Sequence, residues 1–390
     1  MNFDEIIERR GTHSAKWDGM EAAYGVSAAD GIPMWVADMD FRPPACVTET
    51  LRSMTDHGIY GYFGDPRDYN AAIAWWMETR HGWRVEPDWI FTTHGLVHGT
   101  SVCVETFTAP GDGVVLFTPV YHAFARVIRA ADREVVECPL VLRDGRYEMD
   151  FAAYDAQMTG RERMVILCSP HNPGGRVWTQ DELRTLADFA KRHDLILISD
   201  EIHHDLVFPG QRHHPMTLAA PDIADRLVMM TATTKTFNIA GSHTGNLIVP
   251  DPDLRARIGK KIMALGISPN SFGIFMATAA YSPEGAAWVD ALMPYLDRNR
   301  RILEDGLNAI PGVQAMPLEA TYLSWVDFSG TGMDEAEVLH RVQTEARIAA
   351  NHGKTFGSGG ERFLRFNFAT PRARVVEAVE RLQAAFRDLQ

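Results

Sequence analysis

The chain has 390 residues, 46% hydrophobic and 23% charged, a composition that excludes broad disorder and leaves room for two domains. Lys plus Arg number 38 against 51 Asp plus Glu, and the resulting charge of −13 disfavours nucleic-acid backbones and anionic membrane surfaces as partners. Cys46, Cys103, Cys138 and Cys168 never form a CxxC pair. The opening residues lack an apolar signal core and no run reaches the roughly 20 apolar residues of a membrane span, so a cytoplasmic protein is expected.

In chain order, apolar runs predict strands at Trp89–Thr93, Gly113–Pro119, Met164–Pro170, Leu195–Asp200, Arg226–Thr233 and Gly245–Pro250. Helix-period stretches separate them, as in βαβ units around a buried parallel sheet. One helix, Thr179–Asp194, opens with a capping box, Thr179 followed three residues on by Glu182. After Pro269 the texture changes. Helices are predicted at Ser271–Tyr281 and Ala286–Ile310, then short strands at Tyr322–Phe328 and Arg362–Ala369. The expected division is an N-terminal segment over 1–45, a large α/β domain over 46–285 and a smaller α+β domain over 286–390, with the long helix as hinge.

Open parallel sheets bind ligands beyond the carboxyl ends of their strands, and the unusual residues collect there. In Thr93–Gly99, Gly95 permits a tight turn, and the N–H groups of Gly95, Leu96 and Val97 suit a phosphate; a plain strand-to-helix turn is the rival reading. Tyr121 follows its strand where an aromatic could stack on a planar cofactor or simply belong to the core. Asn172 sits in Cys168–Gly175, a turn with two prolines and two glycines. Asp200 ends a very apolar strand and calls for a cation, such as a protonated pyridine nitrogen. A metal site at Asp200, Glu201, His203, His204 and Asp205 is the rival, but no second ligand cluster stands out and His213–His214 reads as a surface loop, so no metal is expected. Lys235, directly after a strand, suits a desolvated amine able to form a Schiff base. Arg365, on an alternating strand, would clamp a carboxylate or form a surface ion pair. A phosphate cradle, stacking aromatic, amide, aspartate, lysine and arginine together specify pyridoxal 5′-phosphate.

The strings RRGTHSAKWD, PMWVADMDF, YGYFG, CSPHNPGGRVW, SDEIHHDL, KTFNIAG and FLRFN resemble the fold-type-I pyridoxal phosphate enzymes of the aminotransferase class I/II superfamily, over essentially the whole length. Within them the chain looks like the cystathionine β-lyase branch of C–S lyases, the MalY/PatB family. The resemblance implies a mostly parallel, mixed seven-stranded sheet between helices, plus the smaller C-terminal domain. It makes Lys235 the Schiff-base lysine and Asp200 the pyridinium partner. Asn172 and His203 would contact the phenolic oxygen, Tyr121 would stack, and Arg365 would bind the substrate carboxylate. The backbone at Val36–Ala37 would line the substrate pocket, and Tyr62 would be lent to the neighbouring subunit's site in a homodimer. Two departures concern the phosphate: Ala232 replaces a serine, leaving the hydroxyl to Thr231, Thr233 or Thr234, and His243 replaces an arginine. His94 and His98 add to a histidine-rich site. The implied activity is β-elimination from L-cystathionine or a related cysteine S-conjugate, giving thiol, pyruvate and ammonia. An aminotransferase on the same scaffold is the alternative. A non-catalytic pyridoxal phosphate-sensing regulator is disfavoured, because the resemblance starts by about Arg10.

Overall fold

Runs of branched apolar residues bounded by glycine, proline and aspartate form the interior of a single large sheet. In the computed structural model, which describes residues 1–389, its strands are β1 (Ile90–Thr93), β2 (Gly113–Leu116), β3 (Glu134–Glu137), β4 (Glu162–Cys168), β5 (Ile196–Asp200), β6 (Leu227–Thr231) and β7 (Gly245–Ile248). They lie in the order β1-β7-β6-β5-β4-β2-β3. Only β7 runs against its neighbours; the other pairings are parallel. The central strands are buried on both faces, which is why they read as unbroken apolar runs rather than as alternation. All six expected strands are present, most trimmed at their turn residues, and β4 begins two residues earlier than expected, at Glu162. The seventh, β3, lies at the sheet edge, where a glutamate at each end and partial exposure weaken its apolar signal.

Helices α1 (Ala45–His57), α2 (Arg67–His81), α3 (Leu96–Phe107), α4 (Gln180–Arg192), α5 (Ser271–Ala280), α6 (Pro283–Asn308) and α7 (Arg372–Ala385) are among the longer ones around the sheets, and a further helix, Pro252–Ala264, lies between β7 and α5. The capping box of α4 forms as its spacing dictates, Thr179 and Glu182 each satisfying the other's backbone N–H. Helix α6 starts earlier than its periodicity suggests, because Ser282 caps it and Pro283 occupies the first turn, where a missing N–H costs nothing. The expected boundary at 286 therefore falls inside a helix.

Beyond α6, β8 (Gln314–Ala315), β9 (Leu323–Asp327), β10 (Asn351–His352) and β11 (Phe363–Asn367) form an antiparallel sheet in the order β8-β9-β11-β10. Residues Ile32–Pro33 pair in parallel with Ile348–Ala349, tying the N-terminal segment to this region. A hairpin absent from the sequence reading joins Val141–Arg143 to Arg146–Glu148. Its turn is Asp144-Gly145, both at positive φ, 47° and 75°, the backbone that a two-residue hairpin turn requires. Among the described residues no helix is long and apolar enough to cross a membrane.

Candidate active site

The carboxyl edge of the large sheet is built by short turns that leave little freedom. Strand β1 passes into α3 through Gly95, whose φ of +85° few other residues adopt. This sharp entry leaves the first N–H groups of α3, those of Leu96 and Val97, outside the helical hydrogen-bond ladder and facing a cavity. Thr234 and His243 line the same cavity, so hydroxyl and imidazole stand beside a helix N-terminus. His94 and His98 stack at its rim with ring centres 5.3 Å apart.

Asp200 is the last residue of β5 and only 4% exposed. Its carboxylate accepts one hydrogen bond, from the Ile202 N–H at 3.1 Å. Burial pushes its carboxyl up to about 7, against that hydrogen bond, with Glu201 adding to the rise. Beside it, His203 is buried with Nδ1 unpartnered, and burial drives its imidazole well below the ordinary range. A buried carboxyl without a cation, facing a cavity, suits a cationic group of a ligand.

Lys235 lies on the single helical turn Thr233–Thr236 that follows β6. Its Nζ donates to the Ala37 carbonyl at 2.7 Å. Burial brings this amine down to about 8; Asp38 and Asp200 oppose the shift and Arg365 assists it. Arg365, on β11 and 3% exposed, has no carboxylate within ion-pair distance among the described residues, which removes the surface ion-pair reading. It donates to Asn172 Oδ1 at 2.9 Å, to the Trp35 carbonyl at 2.8 Å and to Asn351 Oδ1. Burial lowers its guanidinium to about 10, and Nε is left without a partner. A buried arginine held by neutral groups keeps its charge available for an anionic ligand.

The sequence reading missed how the Ala37 carbonyl is held. Lys16 is fully buried and pairs with Asp40 at 3.0 Å; the Trp17 indole and Arg9 reach the same carboxylate at 3.0 and 2.8 Å. Asn367 donates to the carbonyls of Val36 and Asp38, both at 2.6 Å, and the Tyr322 hydroxyl donates to Ala37 at 3.0 Å. These contacts give RRGTHSAKWD and WVADMDF a physical purpose. The available signal was a lysine and several acids interleaved with tryptophans, the pattern of a buried ion-pair network.

A cavity of about 880 Å³ is lined by Val36, Ala37, Gly95, Leu96, Val97 and Tyr121, and further round by Asn172, Asp200, His203, Thr234, Lys235, His243 and Arg365. Every residue assigned a cofactor or substrate role is thus brought together except Tyr62; of the three candidate threonines only Thr234 lines the cavity, and Glu201, His204 and Asp205 of the rival metal reading lie outside it. Tyr62 is fully exposed and borders a separate groove with Ile59, Tyr60 and Phe275. The donor set fits pyridoxal phosphate: an anion cradle at one wall, an unpaired buried carboxyl at another, and an amine of lowered basicity between them.

Sheet and cavity together are those of the pyridoxal phosphate-dependent type I fold. The model of the aminotransferase class I and II family matches residues 30–382, and the chain belongs to that family. It is 38% identical to cystathionine beta-lyase PatB of Bacillus subtilis (strain 168), over 99% of this chain and 100% of that one. Cystalysin from Treponema denticola, solved with a pyridoxal 5′-phosphate cofactor, superposes with a TM-score of 0.95 at 37% identity, over 100% of this chain and 99% of its own. The PLP-bound C–S lyase of Staphylococcus hominis gives a TM-score of 0.91 at 31% identity, over 99% and 98%.

Proposed function

We propose that the protein is a pyridoxal phosphate-dependent C–S β-lyase that cleaves L-cystathionine or a related cysteine S-conjugate into a thiol, pyruvate and ammonia. The single observation that carries this reading is the convergence of Lys235, Asp200 and Arg365 on one cavity. Pyridoxal phosphate, when bound, supplies an electron sink for the charge left at the substrate Cα. The chain's own residues do the rest. Leu96 and Val97 N–H groups, with Thr234 and His243, hold the phosphate, and Asp200 keeps the ring nitrogen protonated. Asn172 and His203 face the ring oxygen, and Tyr121 covers the ring. Arg365 anchors the substrate carboxylate, and Asn172 fixes the arginine in turn. Lys235, whose lowered basicity leaves much of it neutral near pH 8, takes the Cα proton. The thiolate then departs from Cβ, and hydrolysis of the three-carbon remainder yields pyruvate and ammonia.

The active unit in this reading is a homodimer. Tyr62 stands clear of its own chain's cavity, on a groove edged by exposed Ile59, Tyr60 and Phe275, and would complete the neighbouring subunit's phosphate and substrate contacts. The division into an N-terminal segment, a large domain and a small one joined through α6 belongs to the same reading. Four free cysteines support a reducing, cytoplasmic setting.

The test is incubation with L-cystathionine and no keto-acid acceptor. Pyruvate and free thiol should accumulate over many turnovers. Arrest after one equivalent, with turnover restored by a keto acid, would establish an aminotransferase instead.

A further inference from the structure

Behind the cavity wall lies a group of histidines that the reaction does not use. His81, at the end of α2, and His204 and Asp205, just after β5, place ligand atoms within 4.8 Å of one another, and all three residues are largely removed from solvent. His81 Nε2 lies 2.8 Å from Asp205 Oδ1, and His204 Nε2 lies 3.1 Å from Oδ2. His213 adjoins the group. Expected in a surface loop, it is only 6% exposed, and its Nε2 is 2.7 Å from Glu201 Oε2. All four border a crevice of about 230 Å³ that Gln211 and Arg212 also line.

Two features point to a ligand. His204 is 2% exposed, yet neither of its ring nitrogens makes a hydrogen bond of acceptable geometry, and His213 Nδ1 is also unpartnered. Buried polar atoms are almost always satisfied, so the unpartnered His204 and His213 Nδ1 atoms, with His204 Nε2 held to Asp205 only as an ion-pair contact, call for a partner that protein groups do not provide. Secondly, the ligand atoms of His81, His204 and Asp205 lie close enough together for one ion to reach all three, with the His81 and His204 rings 4.3 Å apart and the His213 ring farther out, 5.8 and 6.1 Å from theirs. Glu201 holds His213 through Nε2 and leaves Nδ1 free beside the group. Asp205 is itself fixed by the Trp76 indole at 3.0 Å and the Thr236 hydroxyl at 2.8 Å.

We propose that His81, His204 and Asp205 form a binding site for a divalent transition-metal ion, with His213 beside it and nitrogen-rich ligation suited to Zn²⁺. The ion would replace the proton between His81 and Asp205 and the ion-pair contact between His204 and Asp205. It would clamp α2 onto the segment after β5. Since His204 follows His203 and Thr236 follows Lys235, the clamp stiffens the wall behind both cavity residues.

The test uses untagged holoenzyme, loaded with Zn²⁺ or Co²⁺, desalted and analysed for metal by mass spectrometry, with Co²⁺ absorption bands read in parallel. One tightly held ion per chain is expected, with intense visible Co²⁺ bands of four- or five-coordinate nitrogen ligation and a Zn²⁺-dependent rise in Tm. His204→Leu should abolish all three. His213→Gln and Glu201→Gln, which retain hydrogen-bonding side chains, should weaken binding about 10- to 100-fold while far-UV circular dichroism stays unchanged. No retained ion would overturn the proposal. So would binding that survives both His204→Leu and His213→Gln but is lost in His94→Ala, which would place the ion at the His94–His98 pair.

Discussion

Lys235 sets the protonation chemistry of the cavity. Its amine is brought down to about 8 from an ordinary 10.5, because burial penalises the ammonium more than Asp38 and Asp200 stabilise it. A lowered lysine value means the neutral, nucleophilic form grows as pH rises through about 8. Capture of pyridoxal phosphate by the apoprotein should therefore accelerate about tenfold per pH unit below 8 and level off above it. Stopped-flow absorbance measures this directly, and a rate still climbing steeply at pH 10 would indicate an ordinary, solvated lysine. Arg365 makes a separate prediction. Replacement by lysine retains charge but loses the planar fork that lies between Asn172, Asn351 and the Trp35 carbonyl. Arg365→Lys should lower kcat/KM for cystathionine about 10- to 100-fold, chiefly through KM, while the cofactor spectrum persists. An unchanged kcat/KM would move the carboxylate contact elsewhere.

At the scale of elements, the N-terminal segment is held by the Asp40 network rather than by secondary structure. Burial alone would raise the Asp40 carboxyl, but Lys16, the Trp17 indole and Arg9 outweigh it and hold the group well below the carboxylate range. A depressed carboxylate contributes stability that is present above its unfolded value, about 4, and is lost as pH falls through the folded value. Lys16→Met should leave Asp40 buried with a weakened set of cations and cost about 3–5 kcal/mol in urea unfolding at neutral pH. A loss below 1 kcal/mol would show that Arg9 suffices alone. The elements carrying the chemistry were legible because each buried strand leads into a residue that does not belong in an apolar run: Asp200 at the end of β5, and Lys235 on the helical turn that follows β6. Strand β3 was hidden by its edge position. The Asp144-Gly145 turn was visible in principle, and only the shortness of its strands obscured it. The buried state of His213 was illegible, because its partners, Glu201 and the crevice behind α2, are brought to it by tertiary folding.

At the scale of the whole molecule, Tyr62 is the residue that one chain leaves unexplained. A tyrosine exposed over its entire surface, beside exposed Ile59 and Tyr60, is a poor solution for a monomer. Shared sites predict complementation. If Tyr62→Ala and Lys235→Ala subunits, each inactive alone, are unfolded and refolded together, a mixed dimer has one doubly defective site and one intact site. Random pairing makes half the dimers mixed, so about a quarter of all sites should recover. No recovery, with exchange verified by native mass spectrometry, would mean that Tyr62 serves its own chain.

The central claim is that the cavity at the sheet's carboxyl edge holds pyridoxal phosphate on Lys235. Borohydride reduction of the reconstituted protein, followed by peptide mapping, tests it most directly. The account predicts one pyridoxyl group per chain, carried by the peptide containing Lys235 and absent from the Lys235→Ala variant. Label on another lysine, or none after reconstitution, would contradict it.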